Sequence, residues 1–134
     1  MIGIRDADEY RDELRALEIA TWPVQRLRME GPATTTANAL AVLERSELEG
    51  FWVHLDVDIL DPTVMPAVDS PDPGGIRHDE LLAVLAGLVA SSHCVGLEVT
   101  VFDPDLDPDA RLADALADTV VSAVVSGLAG RPGP

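Results

Sequence analysis

The chain has no lysine, and this absence argues against the commonest mode of nucleic-acid binding. All nine of its basic residues are arginines, against 24 acidic residues, so the net charge is −15. Affinity for phosphate backbones comes from clustered lysines and arginines, which release counterions. We therefore expect no nucleic-acid partner and no attraction to an anionic membrane surface.

Cysteine is nearly absent, which limits covalent cross-linking. Cys94 is the single cysteine and cannot form a disulfide within the chain. Its apolar neighbours predict that it packs as a small hydrophobic side chain. The first residues lack the basic and apolar regions of a secretory signal, and no uninterrupted apolar run reaches the roughly 18 residues of a membrane span. These features favour a cytoplasmic protein without a membrane partner.

Apolar residues are plentiful enough to build a core. They make up 47% of the 134 residues, and a chain of this length buries about two-thirds of the surface that its unfolded form exposes. The composition predicts a single domain over residues 1–134. A frayed tail is expected over residues 129–134, after the last apolar repeat.

Strand and helix patterns alternate along the chain. Short apolar runs are followed by segments in which apolar residues recur three and four positions apart, as in amphipathic helices. The predicted strands cover residues 2–5, 24–29, 51–55 and 94–102, and the predicted helices cover residues 8–17, 34–46, 79–90 and 110–128. The threonines at 34–36 are expected to cap the second helix. This alternation predicts an α/β fold with a mostly parallel sheet, helices on both faces and strands buried on both sides.

Two acidic loops follow the strands at 51–55 and 94–102. Ligands of parallel sheets bind outside the carboxyl ends of the strands, so both loops are expected where a site belongs. Asp56 and Asp58 stand two positions apart after the first strand, so both carboxylates can reach one cation. A lone D-x-D pattern more often only solvates a strand end, but this pattern continues as far as Gly75.

The continuation carries a family resemblance. Residues 54–62 read HLDVDILDP, and residues 63–75 read TVMPAVDSPDPGG. This stretch resembles the C-terminal signature of the ureohydrolases (arginases, agmatinases and formimidoylglutamases), S-x-D-x-D-x-x-D-P followed by P-x-x-x-x-P-x-x-G-G. The segments GLEVTVFDPDLD and IGIRDADE also resemble family segments, a following strand with its loop and the beginning of an earlier strand. The chain thus resembles the C-terminal half of a ureohydrolase.

The resemblance implies a fold, a cofactor and several residue roles. The fold is the three-layer α/β/α arginase fold, here in part, and the cofactor is a binuclear manganese (Mn²⁺) centre. In that family the centre activates water to attack a guanidinium carbon, so the implied substrate is a small cationic guanidino or amidino compound. By position, Asp56 and Asp58 match the two metal-binding aspartates, with Asp56 as the bridging ligand. Ser70 matches a small hydroxyl residue near the substrate, and Asp61 is implied to brace the loop beside the metal ligands.

Three departures from the family pattern are visible. Val101 stands where the family has a glutamate that binds the substrate guanidinium, and Glu98, three positions earlier, points to the other side of the strand. His54 replaces the usual serine and is expected either to support the metal ligands or to be a hydrogen-bonded structural histidine. The upstream G-G-D-H and D-A-H-x-D segments of the family, which carry further ligands, do not occur in the sequence.

Two functions therefore stay open. The first is a manganese-dependent hydrolase of guanidino or amidino C–N bonds, active only when a missing half supplies the other ligands, because two carboxylates cannot complete a binuclear site. The second is a non-catalytic arginase-fold module that acts in assembly or binds a cation weakly. Sheet edges left without neighbours favour self-association or a companion chain, so a homo-oligomer or a companion chain is the expected partner.

Overall fold

The fold consists of five helices and a short parallel sheet over the residues that a computed structural model describes. These are residues 1–6, 8–9, 11–44 and 48–131, without the side chain of Arg11. The elements are α1 (Arg11–Ala16), α2 (Val24–Glu30), α3 (Pro32–Leu43), β1 (Phe51–Asp56), α4 (His78–Ala90), β2 (Cys94–Thr100) and α5 (Arg111–Ala129), with 3-10 turns at Val57–Ile59 and Pro104–Leu106. The predicted α/β class with a parallel sheet is confirmed.

The sheet pairs β1 with β2 in parallel, and α4 forms the crossover between them. The register places His54 beside Glu98 and Asp56 beside Thr100. Side chains alternate along β1, so that Phe51, Val53 and Leu55 are buried while Trp52 is 58% exposed. The prediction that both strands are buried on both faces is therefore wrong for the described residues, because the face that carries Trp52 and His54 is not covered.

The core lies between β1 and the helices that follow it. Leu81, Leu85 and Leu88 of α4 pack in one buried cluster with the apolar side chains of β1, and Leu116 and Ala123 join them from α5. By length and composition alone, α5 is apolar enough to cross a membrane. Only 22% of this span is buried, where α5 packs along α4 through Leu116, Thr119, Ala123 and Gly127.

The segment predicted as a strand over residues 24–29 is the helix α2. Its buried side chains, Val24 and Leu27, are three positions apart, which is helical rather than strand spacing. An ion pair between Arg26 and Glu30, four positions apart with Nε–Oε1 at 2.7 Å, supports the same conformation. The alternation of polar and apolar residues in this short stretch is compatible with a strand and with a helix. The burial of Val24 and Leu27 favours the helix.

The other elements of the first third also differ from their predictions. The segment at 2–5 is not a full strand, because it forms only one isolated parallel bridge, between Ile2 and Trp22. Helix α1 is shorter than residues 8–17, and residue 10 lies outside the described residues. Helix α3 begins at Pro32, so the threonines at 34–36 lie inside it and do not cap it. Residues 45 and 46, the end of that predicted helix, lie outside the described residues.

The elements from Phe51 onward match the predicted strands and helices within two residues. The frayed tail over residues 129–134 stays a prediction. Ala129 still belongs to α5, and the Arg131 guanidinium donates hydrogen bonds to the carbonyls of Val89 (2.9 Å) and Cys94 (3.0 Å). Residues 132–134 lie outside the described residues.

A buried carboxylate caps the last helix, and its removal tests how α5 begins. Asp107 is 7% exposed, and its two oxygens accept hydrogen bonds from the backbone amides of Leu112 (3.1 Å) and Ala113 (2.8 Å). We expect Asp107→Ala to lower the free energy of unfolding by about 1–2 kcal/mol, since both amides lose their acceptor. Urea titration measures this change, with the exposed Asp105→Ala as the control; equal losses in the two variants would contradict the capping role.

Candidate functional site

The candidate site begins where β1 ends. Asp56 is the last residue of β1, and the 3-10 turn Val57–Ile59 follows it directly, so that the carboxyl groups of Asp56 and Asp58 are close enough to interact electrostatically. The Oδ1 atom of Asp56 is buried and has no hydrogen-bond donor in the described part of the chain. Burying an oxygen without a partner is unfavourable, so this atom is available to a ligand. The structure therefore brings together the two predicted metal ligands.

The electrostatics of Asp58 reflect this crowding. Burial raises the pKa of the Asp58 carboxyl, the nearby charge of Asp56 raises it further, and the Arg5 guanidinium opposes both effects. Two carboxyl groups in one partly buried place repel each other when both are ionised. A cation bound beside the two carboxyl groups would therefore reduce the repulsion between them.

His54 lies on the same face of the sheet, two residues before Asp56. Its Nδ1 atom is 2.7 Å from Oε1 of Glu98, and its Nε2 atom is 3.3 Å from Oγ1 of Thr100. Cross-strand pairing thus occupies both ring nitrogens. His54 is thus a histidine held by hydrogen bonds on the open face of the sheet. The carboxylate of Glu98 has its hydrogen-bond partner in the same contact.

Asp61 organises the long loop that follows. Its carboxylate accepts hydrogen bonds from the Thr63 amide (3.0 Å), the Thr63 hydroxyl (2.6 Å) and the Gly74 amide (2.9 Å). The hydrogen bond from the Thr63 hydroxyl, followed by those from the backbone amides, lowers the pKa of Asp61 to about 2. These bonds join the two ends of the loop, as expected of a brace.

The glycine pair at the end of the loop has a steric reason. Gly74 has φ +89°, a conformation that side chains disfavour. A Cβ atom on Gly75 would lie 2.5 Å from the backbone nitrogen of Asp61, closer than real atoms approach. This close approach allows Asp61 to donate to the Ile76 carbonyl (2.9 Å) and Ile76 to donate to the Ile59 carbonyl (2.9 Å). The motif residues therefore bring the far end of the loop back beside the Asp58 turn.

A cavity of about 670 Å³ opens beside the two aspartates. Four aspartates contribute to its wall, together with His54 and Arg5; they are Asp8, Asp56, Asp58 and Asp72. A wall with this excess of negative charge favours a cationic occupant. Ser70 is exposed and does not line this cavity, so the structure does not bring the predicted substrate residue to the aspartate pair.

The carboxyl end of β2 has an unusual backbone. Val101, at the position of the expected glutamate, has φ +73°, which is strained for a β-branched residue. Beyond it, Phe102 forms an antiparallel bridge with Val68, and the Asp103 amide donates to the Ala67 carbonyl (2.9 Å). The loop after β1 is thus also attached to the end of β2.

Sequence reasoning did not single out Arg5. Its guanidinium donates to the backbone carbonyls of the turn after Asp56, with the shortest hydrogen bond, 2.6 Å, to Asp58. The only signal in the sequence was a single arginine at the end of an apolar run. Within residues 1–6, 8–9, 11–44 and 48–131, no group of three or more His, Cys, Asp and Glu side chains is arranged to hold a metal.

Comparison with protein-family models gives one match over nearly the whole chain. The model described as the arginase family matches residues 1–126. Among curated proteins, the chain is 31% identical over 108 residues to an N(1)-aminopropylagmatine ureohydrolase of Thermus thermophilus, covering 78% of this chain and 34% of that protein. It is also 31% identical over 116 residues to an arginase of Brucella melitensis, covering 84% of this chain and 37% of that protein.

Solved structures show the same fold. A formimidoylglutamase from Bacillus subtilis superposes with a TM-score of 0.85 at 23% identity, covering 98% of this chain and 41% of that one. An arginase from Bacillus caldovelox superposes with a TM-score of 0.75 at 26% identity, covering 98% and 42%. The chain spans about a third of the length of the curated relatives that it matches.

The brace at Asp61 predicts a pH-dependent effect on stability. The pKa of Asp61 is about 2 in the folded chain and near 3.8 in a model peptide, so its hydrogen bonds stabilise the fold fully above about pH 4 and lose their effect as the pH falls through 2. We expect Asp61→Asn to lower the melting temperature at pH 7, and this deficit to shrink between pH 4 and pH 2. Asp118→Asn, an exposed change on α5, is the control; a deficit at pH 2 as large as that at pH 7 would contradict the role of the charge.

Proposed function

Because this chain belongs to the arginase family, whose model matches residues 1–126, we propose that it forms part of a manganese-dependent hydrolase of guanidino or amidino C–N bonds. The observation that carries the proposal is the pair Asp56 and Asp58 at the end of β1, with a buried, unpartnered Oδ1 on Asp56. Both residues belong to the segment that carries the family signature.

The donor atoms of this pair fit a manganese ion. Carboxylate oxygens suit Mn²⁺, Mg²⁺ and Ca²⁺ better than softer metals, and Oδ1 of Asp56 is already desolvated without a partner. Asp56 and Asp58 would hold the metal. A divalent metal in such a site supplies Lewis-acid activation of water and of the substrate.

The remaining residues of the cavity would bind and orient the substrate. The acidic wall that includes Asp8 and Asp72 attracts a cationic guanidino or amidino group. Val101 has no carboxylate, and the carboxylate of Glu98 is hydrogen-bonded to His54. The substrate would therefore be held by groups other than the glutamate of the family.

The site is completed, in this proposal, by polypeptide beyond the chain described above. The chain spans about a third of its curated relatives, and the sheet face with Trp52, together with Val95 of β2, is exposed. Such a face is suited to cover by further elements of the same fold, from the same polypeptide, from a companion chain or from a second copy. The buried free thiol of Cys94 is compatible with a reducing cytoplasm.

One observation favours a second candidate function. The described residues hold no group of three metal-ligating side chains, as in a non-catalytic module that assembles through its sheet and binds a cation weakly. The two candidates differ in whether completing the fold creates a strong metal site.

Calorimetric titration with Mn²⁺ separates the two candidates. The chain is measured alone and together with the part of the Thermus relative that precedes the matched segment. Tight binding at two sites only in the combined sample supports the hydrolase, and hydrolysis of guanidino and amidino compounds can then be assayed. Weak binding in both samples would overturn the hydrolase proposal and favour the assembly module.

Replacing one of the proposed metal ligands gives a direct prediction. We expect Asp56→Asn to weaken Mn²⁺ binding more than about tenfold and to abolish metal-dependent hydrolysis in the completed protein, because a charged ligand is lost. Metal content after gel filtration and the rate of hydrolysis measure the two effects. Asp114→Asn, an exposed change on α5, is the matched control, and an unchanged manganese content in Asp56→Asn would rule out the assignment.

A further inference from the structure

The Arg5 guanidinium gathers the carbonyl groups of the turn that carries Asp58. It donates to the carbonyls of Asp58 (2.6 Å), Ile59 (3.2 Å) and Leu60 (3.4 Å), which are consecutive in the chain. These contacts join residues more than fifty positions apart in the sequence. A planar guanidinium has several donors in fixed directions, so it can fix the relative positions of several carbonyl groups at once.

The same guanidinium reaches the far side of the long loop. Its Nε and Nη2 atoms donate to the carbonyl of Asp72, at 3.3 and 2.9 Å. Asp72 and Asp58 both line the acidic cavity. One side chain therefore bridges the turn after β1 and the opposite part of the loop, across the wall of the cavity.

The segment that carries Arg5 is itself held in place. The Gly3 amide donates to the Trp22 carbonyl (2.9 Å), and the Val24 amide donates to the Ile4 carbonyl (3.1 Å). Gly3 has φ +84°, and a Cβ atom there would lie 2.5 Å from the side chain of Ile59. The backbone at Gly3 thus packs against Ile59 of the Asp58 turn, and the backbone hydrogen bonds to Trp22 and Val24 hold the segment that carries Arg5.

We propose that Arg5 is a positioning residue for the cation site, whose guanidinium holds the turn after β1 so that Asp58 lies beside Asp56. The inference rests on the proposed function, since it concerns the same pair of carboxylates. The positioning of the turn depends on the several N–H donors of the guanidinium as well as on its charge, because these donors contact several carbonyl groups.

Arg5→Lys removes the planar arrangement of guanidinium donors while it keeps the positive charge. Mn²⁺ binding is followed by the electron paramagnetic resonance signal of the free ion, with Asp56→Asn marking the binding that depends on the carboxylates. We expect Arg5→Lys to weaken this binding about tenfold. Arg28→Lys is the matched control, because Arg28 also donates to a carbonyl of the loop, that of Gly75 (2.9 Å), away from Asp58; its affinity should stay within about twofold of the original.

Amide hydrogen exchange shows whether the effect is local. The amides of Leu60, Asp61 and Ile76 form the hydrogen bonds of the turn, and we expect them to exchange about tenfold faster in Arg5→Lys, with the amides of β1 unchanged. Arg5→Gln, which retains part of the donor set, replaces the lysine variant should the latter fail to fold.

The outcomes separate the two proposals. If Mn²⁺ binding depends on the carboxylates but is unchanged in Arg5→Lys, the role of Arg5 is overturned and the proposed function is not. Equal losses in Arg5→Lys and Arg28→Lys, or faster exchange throughout β1, also overturn it, because both indicate general destabilisation. If Asp56→Asn does not reduce the Mn²⁺ binding of the original chain, the proposed function is overturned, and the role of Arg5 is overturned with it.

Discussion

The pairing of the Asp58 turn with the far end of the long loop is the constraint on which the site depends. Two backbone hydrogen bonds, between Asp61 and Ile76 and between Ile76 and Ile59, close a loop rich in proline and glycine. They are possible because Gly75 has no side chain where the backbone of Asp61 passes. Without this closure, Asp72 would not lie across the cavity from Asp58, and the Asp61 carboxylate would lose the Gly74 amide.

Charge and packing act in opposite directions around this closure. The two aspartates at the end of β1 repel each other, whereas Arg5, the amides that face Asp61 and the glycine pair keep the turn closed. The chain thus maintains an arrangement that is unfavourable without a cation. Stabilisation by groups that a cation does not displace is what preorganised binding sites require.

The sequence was informative where a pattern was long. Strands β1 and β2 and helices α4 and α5 follow sustained apolar repeats and match their predicted bounds within two residues. The seven-residue helix α2 differs from the predicted strand because its pattern fits both periods. The signature marked Asp56, Asp58 and Asp61, and the structure shows the hydrogen bonds of Asp61 across the loop; the roles of the three residues toward a metal stay predictions. The contacts of Arg5 were not, because they join distant segments through backbone carbonyls, which leave no trace in residue types. The exposure of the Trp52 face also escaped prediction, since it depends on what covers the sheet.

The position of the two tryptophans has a spectroscopic consequence. Trp22 is 7% exposed and Trp52 is 58% exposed, with its ring lying over Gly96 on the open face of the sheet. The fluorescence of Trp52 therefore responds to water on that face, while Trp22 gives a nearly constant background. Any polypeptide that covers the sheet would shift the emission to shorter wavelength, so the chain carries an intrinsic optical signal for coverage of this face.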